Sequence, residues 1–369
     1  MSADCCRICL EADDRERQLT RVYIEEFPHR PGGHCSSTAI RDMLAFHGHD
    51  LTEDMVFGLG AGLGFVYYQN PGMQPRVYVG GRAFMLEEQL AENLGFGMDV
   101  VSGLDPRAGW LEAKRMLDDG VPVMVRTDVH YLDYLNAKVH FSGHRVVLVG
   151  YDDSKGVAFV ADNDRDSVQE CSLENLAKAR ASTWFPQPAQ NSFYRFEVPA
   201  RLTSIRRAVR CAIRQVVANN LGDTGDWARV GGDGVTVATG TAGLERLASE
   251  MPAWPDEMDA ASLTLVCMTF YVSAEKGGTG YGGNFRRMFG RFLLQAAPTV
   301  DEPRLSTIGR EFIAIGDRWT EMSVIFKELS GVGTDAVREA SPIAREVSER
   351  ERDALGELEA VCRTFAGGD

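Results

Sequence analysis

PGGHCSSTAIRDML, residues 31–44, sets a cysteine behind a proline and two glycines and in front of a helical stripe. Ala39, Ile40, Met43, Leu44 and Phe46 recur at helical spacing, which predicts a helix over Ser37–Gly48. Cys35 then stands at a helix N-terminus, where unpaired backbone N–H groups and the helix dipole favour the thiolate. The same N–H groups suit a developing oxyanion. A buried structural cysteine is the commoner fate of a lone Cys, so a nucleophile here needs a base elsewhere in the chain.

Outward from that stretch, SGHRVVLVGYDD carries His144 at the start of a continuous β-branched run, Arg145–Tyr151. A turn at residues 152–156 and a second apolar run, Gly156–Asp162, predict an antiparallel hairpin. With the turn centred at residue 153 or 154, the residue across from His144 is 162 or 164, and both are aspartates. A carboxylate there holds the imidazole's tautomer and orientation. Asp162 is preferred because it ends the apolar run, and Asp164 is the alternative. The order Cys, His, acid is the papain-like one. His140, four residues before His144, is the alternative base. His34 points away from Cys35 once the helix begins, and either lines the cleft or caps the helix.

The loop FGLGAGLGF has glycines at 58, 60, 62 and 64 but lacks the G-x-G-x-x-G spacing of a dinucleotide site. Alternating glycines let a ligand approach the backbone. Gly60, Gly62 and the aromatics that follow, Phe65 and Tyr67, are therefore candidate substrate-lining residues, against the plainer reading of a tight structural turn. Asp128 and Asp133, in RTDVHYLDY, follow a strand and alternate with aromatics. They are candidates to receive an amine, a solvated loop being the alternative, and His140 is a further candidate substrate-binding residue. Cys5, Cys6 and Cys9 resemble part of a metal cluster, yet the spacing is wrong for a tetrahedral site and only His29 offers a fourth ligand, so no metal is expected.

The chain of 369 residues is long enough for two domains. Up to about residue 200, helices predicted at Leu86–Leu94 and Gly109–Leu117 mix with strands at Val121–Arg126 and Phe193–Val198. From Arg201 on, stretches such as SIRRAVRCAIRQVVANNL and LSTIGREFIAIGDRWTEMSVIFKEL all show helical spacing. The expected fold is thus α+β: a papain-like cysteine peptidase fold over residues 1–200, its Cys-bearing helix on an antiparallel sheet, followed by an all-α domain over residues 201–369. A net charge of −14 disfavours a broad grip on nucleic acid and suits, weakly, a cationic partner. No apolar run is long enough for a membrane span and no signal peptide precedes the first helix, so the cytoplasm is the expected compartment and the eight cysteines are expected as thiols. Two arginine groups, Arg206/Arg207/Arg210/Arg214 and Arg286/Arg287/Arg291, offer basic patches for an acidic carrier or its phosphate, or simply solvated faces with internal salt bridges.

GGHCSSTAIRDMLAFHG, MVFGLGAGLGFVYY, GGR at 80–82 and HFSGHRVVLVGYDD together resemble the N-terminal domain of butirosin biosynthesis protein H, and EKGGTGYGGNFRRMFGRFL resembles the helical domain that follows it. The resemblance runs from about residue 27 to about residue 330. It implies a fold related to the bacteriocin-processing cysteine peptidases and an acyl transfer in place of proteolysis. An aminoacyl group would pass from an acyl carrier protein's phosphopantetheine thioester to an amine of an aminoglycoside, with no bound cofactor. Position by position it assigns the nucleophile to Cys35, the base to His144 and the orienting acid to Asp162. It offers no counterpart for Cys5, Cys6 and Cys9.

Overall fold

The computed structural model describes residues 20–222, 234–276 and 280–365. In chain order the first half contains β1 (Arg21–Tyr23), α1 (Cys35–Phe46), α2 (Glu53–Leu59), β2 (Leu63–Gln69), β3 (Val77–Arg82), α3 (Leu86–Leu94) and β4 (Gly97–Val101). There follow α4 (Pro106–Asp118), β5 (Val123–Asp128), β6 (Ser142–Asp152), β7 (Val157–Ala161), β8 (Gln169–Ser172), α5 (Leu173–Ala181) and β9 (Phe193–Glu197). The second half contains α6 (Ile205–Leu221), β10 (Thr236–Thr239), α7 (Gly240–Glu250), α8 (Trp254–Glu257), α9 (Ala260–Tyr271), α10 (Arg286–Val300), α11 (Arg304–Glu328) and α12 (Gly333–Thr364).

Every ladder is antiparallel. The larger sheet runs β4-β9-β5-β6-β7-β8, with β1 added on the Gly150–Asp152 end of β6. Strand β6 is a continuous β-branched run because both of its faces are covered. Val147 and Val149 join Ile40, Met43 and Leu44 of α1 in one core. Val146 and Leu148 join Leu117 of α4 and Leu176 of α5 in the other. The fold is α+β, with the Cys-bearing helix laid on an antiparallel sheet as expected.

Among the described residues the second half is helical except for one strand. Strand β10 pairs with β2 to complete a small sheet, β10-β2-β3, in register Thr236↔Gln69 to Thr239↔Val66. The expectation of an all-α second half is corrected on this point. TVAT is too short to show a period, and its β partner lies far back in the chain. Among the described residues no helix is long and apolar enough to cross a membrane. Cys5, Cys6 and Cys9 fall outside the described residues.

The two halves interlock through α2 and α10. Arg291 holds Asp54 with Nε and Nη2 at 3.0 and 2.8 Å. Next to this pair, Phe292 is fully buried against Gly58: a Cβ on Gly58 would stand 1.9 Å from the ring. Gly58→Ala is therefore expected to destabilise the protein by about 1–3 kcal/mol, the usual cost of overpacking a filled core, as measured by urea unfolding. A wild-type unfolding midpoint in this variant would mean that the α2–α10 seam has room to adjust.

Candidate active site

Helix α1 begins at Cys35 itself, two residues earlier than the apolar stripe suggested. His34 is its N-cap: the Nδ1 acceptor takes the Ser37 N–H at 3.3 Å and the Ser37 hydroxyl lies 2.9 Å away. Burial, reinforced by the charge of Arg82, holds His34 well below the usual histidine range, so it caps as a neutral imidazole. The loop in front is fixed by Glu53 of α2, which accepts the N–H groups of Gly33 at 3.0 Å and His34 at 2.8 Å and the Thr38 hydroxyl at 2.9 Å. The thiol thus sits on a braced helix start, beside first-turn amides that no intrahelical carbonyl can satisfy.

The Cys35 thiol faces His144, whose hydrogen bond and charge both act on it. The other side of that imidazole, Nε2–H, donates to Asp162 at 2.8 Å to Oδ1 and 3.0 Å to Oδ2, which leaves Nδ1 for the sulfur. Asp162 is almost wholly buried and also accepts the Tyr134 hydroxyl at 2.8 Å and the Asn163 N–H at 2.7 Å. Asn163 closes the ring: its carbonyl accepts the Gly32 N–H at 2.6 Å, tying the acid's turn to the loop before Cys35.

Burial pushes the Cys35 thiol up, but the hydrogen bond and charge of His144, with the charge and backbone N–H of Arg145, outweigh it and hold the thiol below its ordinary range. For His144 burial alone would lower the pKa. The charge and hydrogen bond of Asp162, then those of Cys35, raise it well above the ordinary value. Asp162 is held low by the same imidazole, against the upward push of burial. These shifts favour a thiolate–imidazolium pair over the two neutral groups.

Asp162→Asn is therefore expected to narrow the pH window of the pair from both ends. Without the carboxylate, His144 gives up its proton at lower pH, and Cys35, facing a less charged partner, ionises at higher pH. The rate of Cys35 alkylation by iodoacetamide against pH reads both limbs, and an unchanged profile would deny Asp162 its electrostatic part.

The hairpin ladder ends at Val147↔Ala161, so Asp162 reaches His144 diagonally from just past the last pair and not from directly across. Asp164 is more than half exposed and lies 3.7 Å from Arg165, away from the imidazole. His140 does not meet Cys35. Its Nδ1 lies 2.8 Å from Asp128, and its ring stacks on the exposed Trp184 at 4.3 Å. Asp128 is fully buried and spends itself on His140, the Ser182 hydroxyl and the N–H groups of His130 and Phe141. Asp133 accepts the Ser172 N–H at 2.7 Å and an amide hydrogen of Asn175, at the start of α5. Asp128 is thereby closed to an amine, whereas Asp133 lies exposed on the surface beside α5.

The glycine loop is likewise turned on the protein. A Cβ on Gly60 would meet the Leu86 carbonyl at 2.6 Å, and one on Gly62 the Phe57 ring at 2.7 Å. Phe65 packs near Trp319, and Tyr67 is fully buried with its hydroxyl toward Trp254 Nε1 at 3.4 Å. Expected at a cleft, these residues belong to the core that joins β2 to the helical half. The second arginine group is no open basic patch either: Arg286 is fully buried on Glu351, Arg287 pairs with Asp317 and Arg291 with Asp54.

The sequence reading missed what covers the Cys35 loop. Gly280 through Phe285 all have positive φ, including Tyr281 at 69°, Asn284 at 49° and Phe285 at 68°. L-residues adopt this region only at a cost, and such strain collects at functional sites. Here it lays GYGGNF over the loop: Gly280 N–H donates to the Gly33 carbonyl at 3.0 Å, Tyr281 lies on Gly33 and Phe285 stands edge-on to His34 at 5.0 Å. The glycines of this stretch were the available signal. Glu53, Glu87 and Arg145 were also missed, because nothing local marks an acid or arginine as part of a site.

Fold and site together define an α+β protein with a Cys–His–Asp constellation at a helix N-terminus, roofed by a helical second half. Residues 34–163 match the family described as butirosin biosynthesis protein H, N-terminal, and residues 174–358 match a domain of unknown function, DUF4872. The second match spans half of the chain, which belongs to that DUF4872 family and carries the butirosin biosynthesis protein H N-terminal domain in front of it. Cys35, His144 and Asp162 all lie in the first match, and the GYGGNF roof in the second. No curated protein matches the chain.

Proposed function

We propose that the chain is a cysteine-dependent acyltransferase of natural-product biosynthesis. It takes an acyl or aminoacyl group from the phosphopantetheine thioester of an acyl carrier protein onto Cys35 and passes it to an amine acceptor of aminoglycoside type. The observation that carries this reading is His144 held between the Cys35 thiol and Asp162, inside the segment matched to butirosin biosynthesis protein H.

Exchange of one thioester for another has little thermodynamic cost. A thiolate already formed at a helix N-terminus meets the donor carbonyl without prior deprotonation. His144 then returns a proton to the leaving pantetheine thiol and later removes one from the attacking amine. A transferase must keep water from the acyl-enzyme, and the roof from the helical half, with Tyr281 and Phe285 over Gly33 and His34, is suited to that task. Exposed Arg206 and Arg207 on α6 offer a face for an acidic carrier, and the chain's net charge of −14 suits a cationic acceptor. The reaction belongs in the cytoplasm, with the carrier.

The test offers aminoacyl and acyl carrier thioesters with increasing amine and compares amide with free acid. Amide that rises with amine at the expense of acid is the expected result. Free acid alone at every amine concentration would replace the transferase by an amidase or peptidase of the same fold, and a ring-closed product by a carrier-linked cyclase.

A further inference from the structure

We propose that Arg82, Glu87 and Arg145 form a charge cluster that tunes Cys35, with Arg145 as the positioning cation for the thiolate and for the oxyanion that succeeds it. Glu87, in the first turn of α3, is almost completely buried. One of its oxygens takes Arg82 Nη2 at 2.6 Å; the other takes Arg145 Nη2 at 2.9 Å and the Ser36 hydroxyl at 2.6 Å. Ser36 follows Cys35 in the chain and Arg145 follows His144, so the cluster is fastened to the next residue after each member of the thiol–imidazole pair.

Two guanidinium groups share a single carboxylate here, and among the described residues no second carboxylate forms an ion pair with either. One positive charge is left over in a buried place. Arg145 is 5% exposed, its Nη1 donates to the Gly143 carbonyl and its Nε–H has no partner. A buried cation without a counter-charge persists when something nearby compensates it. Besides Glu87, two groups able to become anions act on Arg145: Tyr194, whose hydroxyl accepts Arg126 Nη2 at 3.1 Å, and Cys35. The coupling runs both ways: the charge of Arg145 lowers the thiol, and the thiol raises Arg145.

Every other ionisable group around Cys35 has its own task. From β6 His144 pairs with the thiol, and from the turn after β7 Asp162 acts on it through His144. His34 is held neutral at the N-cap. Glu53 of α2 is engaged by the loop amides, and Tyr281 reaches Glu53 from the helical half at 3.4 Å.

The role extends to the reaction, and this part rests on Cys35 being the acyl-accepting nucleophile. When the thiolate attacks a thioester, the new S–C bond forms from the sulfur lone pair and the carbonyl π pair moves onto oxygen. Collapse restores the carbonyl, breaks the bond to the donor sulfur and leaves a thiolate that takes the proton from His144. The negative charge travels from sulfur to oxygen to the leaving sulfur, while Arg145 stays fixed beside all three with an uncommitted Nε–H.

The test is the pH profile of Cys35 alkylation by iodoacetamide, which needs no acyl donor and so stands apart from the fate of the transferase reading. Arg145→Gln removes the cation and is expected to raise the thiol's apparent pKa by about 1–3 units. Glu87→Gln removes the carboxylate, enlarges the surplus charge and is expected to lower it. A cluster that merely props α1 in place would shift both variants the same way, and that result, or no shift in either, would overturn the proposal. Arg82→Gln, at the partly exposed end of the cluster, is the reserve should either buried variant fail to fold: it is expected to move in the Arg145→Gln direction by a smaller amount, and a downward shift counts against the proposal. Wild-type Cys35 that resists alkylation at every pH would instead remove Cys35 as the nucleophile.

Discussion

Cys35→Ala is expected to abolish the proposed acyl transfer, lowering the rate by roughly 10⁴-fold or more, while leaving the fold intact. The size of the effect follows from the two-step route. Without the sulfur there is no acyl-enzyme, and a weakly bound amine would have to attack the carrier thioester directly. The fold survives because α1 is secured by its cap and by Glu53, not by the thiol: His34 still receives the Ser37 N–H, and Gly33, His34 and Thr38 still bond Glu53. Three other thiols among the described residues cannot substitute. Burial pushes Cys171 and Cys267 up to about 12 and Cys362 up to about 11, so at neutral pH they are protonated and inert. Cys211 on α6 is the control position, where alanine is expected to leave transfer unchanged. His144→Ala is expected to cost about 10²–10⁴-fold, the usual worth of a positioned base.

The second large effect is on stability. Glu351→Ala is expected to destabilise the protein by about 3–5 kcal/mol in urea unfolding, because it strands a buried cation. Arg286 and Glu351 are both completely buried and meet at 2.9 and 2.6 Å. The same guanidinium donates to the Gly81 carbonyl of β3 at 3.2 Å and to the Asn284 carbonyl at 2.7 Å, and lies over Phe65 and Trp319. One side chain thus joins α12, α10, the small sheet and the end of the GYGGNF roof. Replacing both partners with apolar residues, Arg286→Met with Glu351→Leu, is expected to recover most of the loss, since a buried pair gains little over a packed apolar core. If Glu351→Ala unfolds at the wild-type midpoint, the pair carries no such weight.

Much of the candidate site was legible in the sequence because its members sit on strong local patterns. Pro-Gly-Gly before an apolar helical stripe marks Cys35 as a helix start, and the β-branched run after His144 marks a strand. Asp162 was reached by counting across a hairpin, although the ladder stops short and the contact is diagonal. What stayed hidden has no local mark. Glu87 reads as an ordinary acid early in a helix, and only the fold brings Arg82, Arg145 and Ser36 to it. Alternating glycines read equally well as a ligand's approach or as the chain packing on itself. For Gly60 and Gly62 the partner decides, and it is the protein. Asp128 looked available because a sequence shows an acid but not the N–H groups that fold onto it.

Intact-protein mass spectrometry after mixing the protein with an aminoacyl carrier thioester tests the central claim most directly. The account predicts a mass gain equal to one acyl group, placed on Cys35 by peptide mapping, absent in Cys35→Ala and discharged faster by amine than by water. A thioester consumed at the wild-type rate by Cys35→Ala, or an adduct mapped to any other residue, would contradict it.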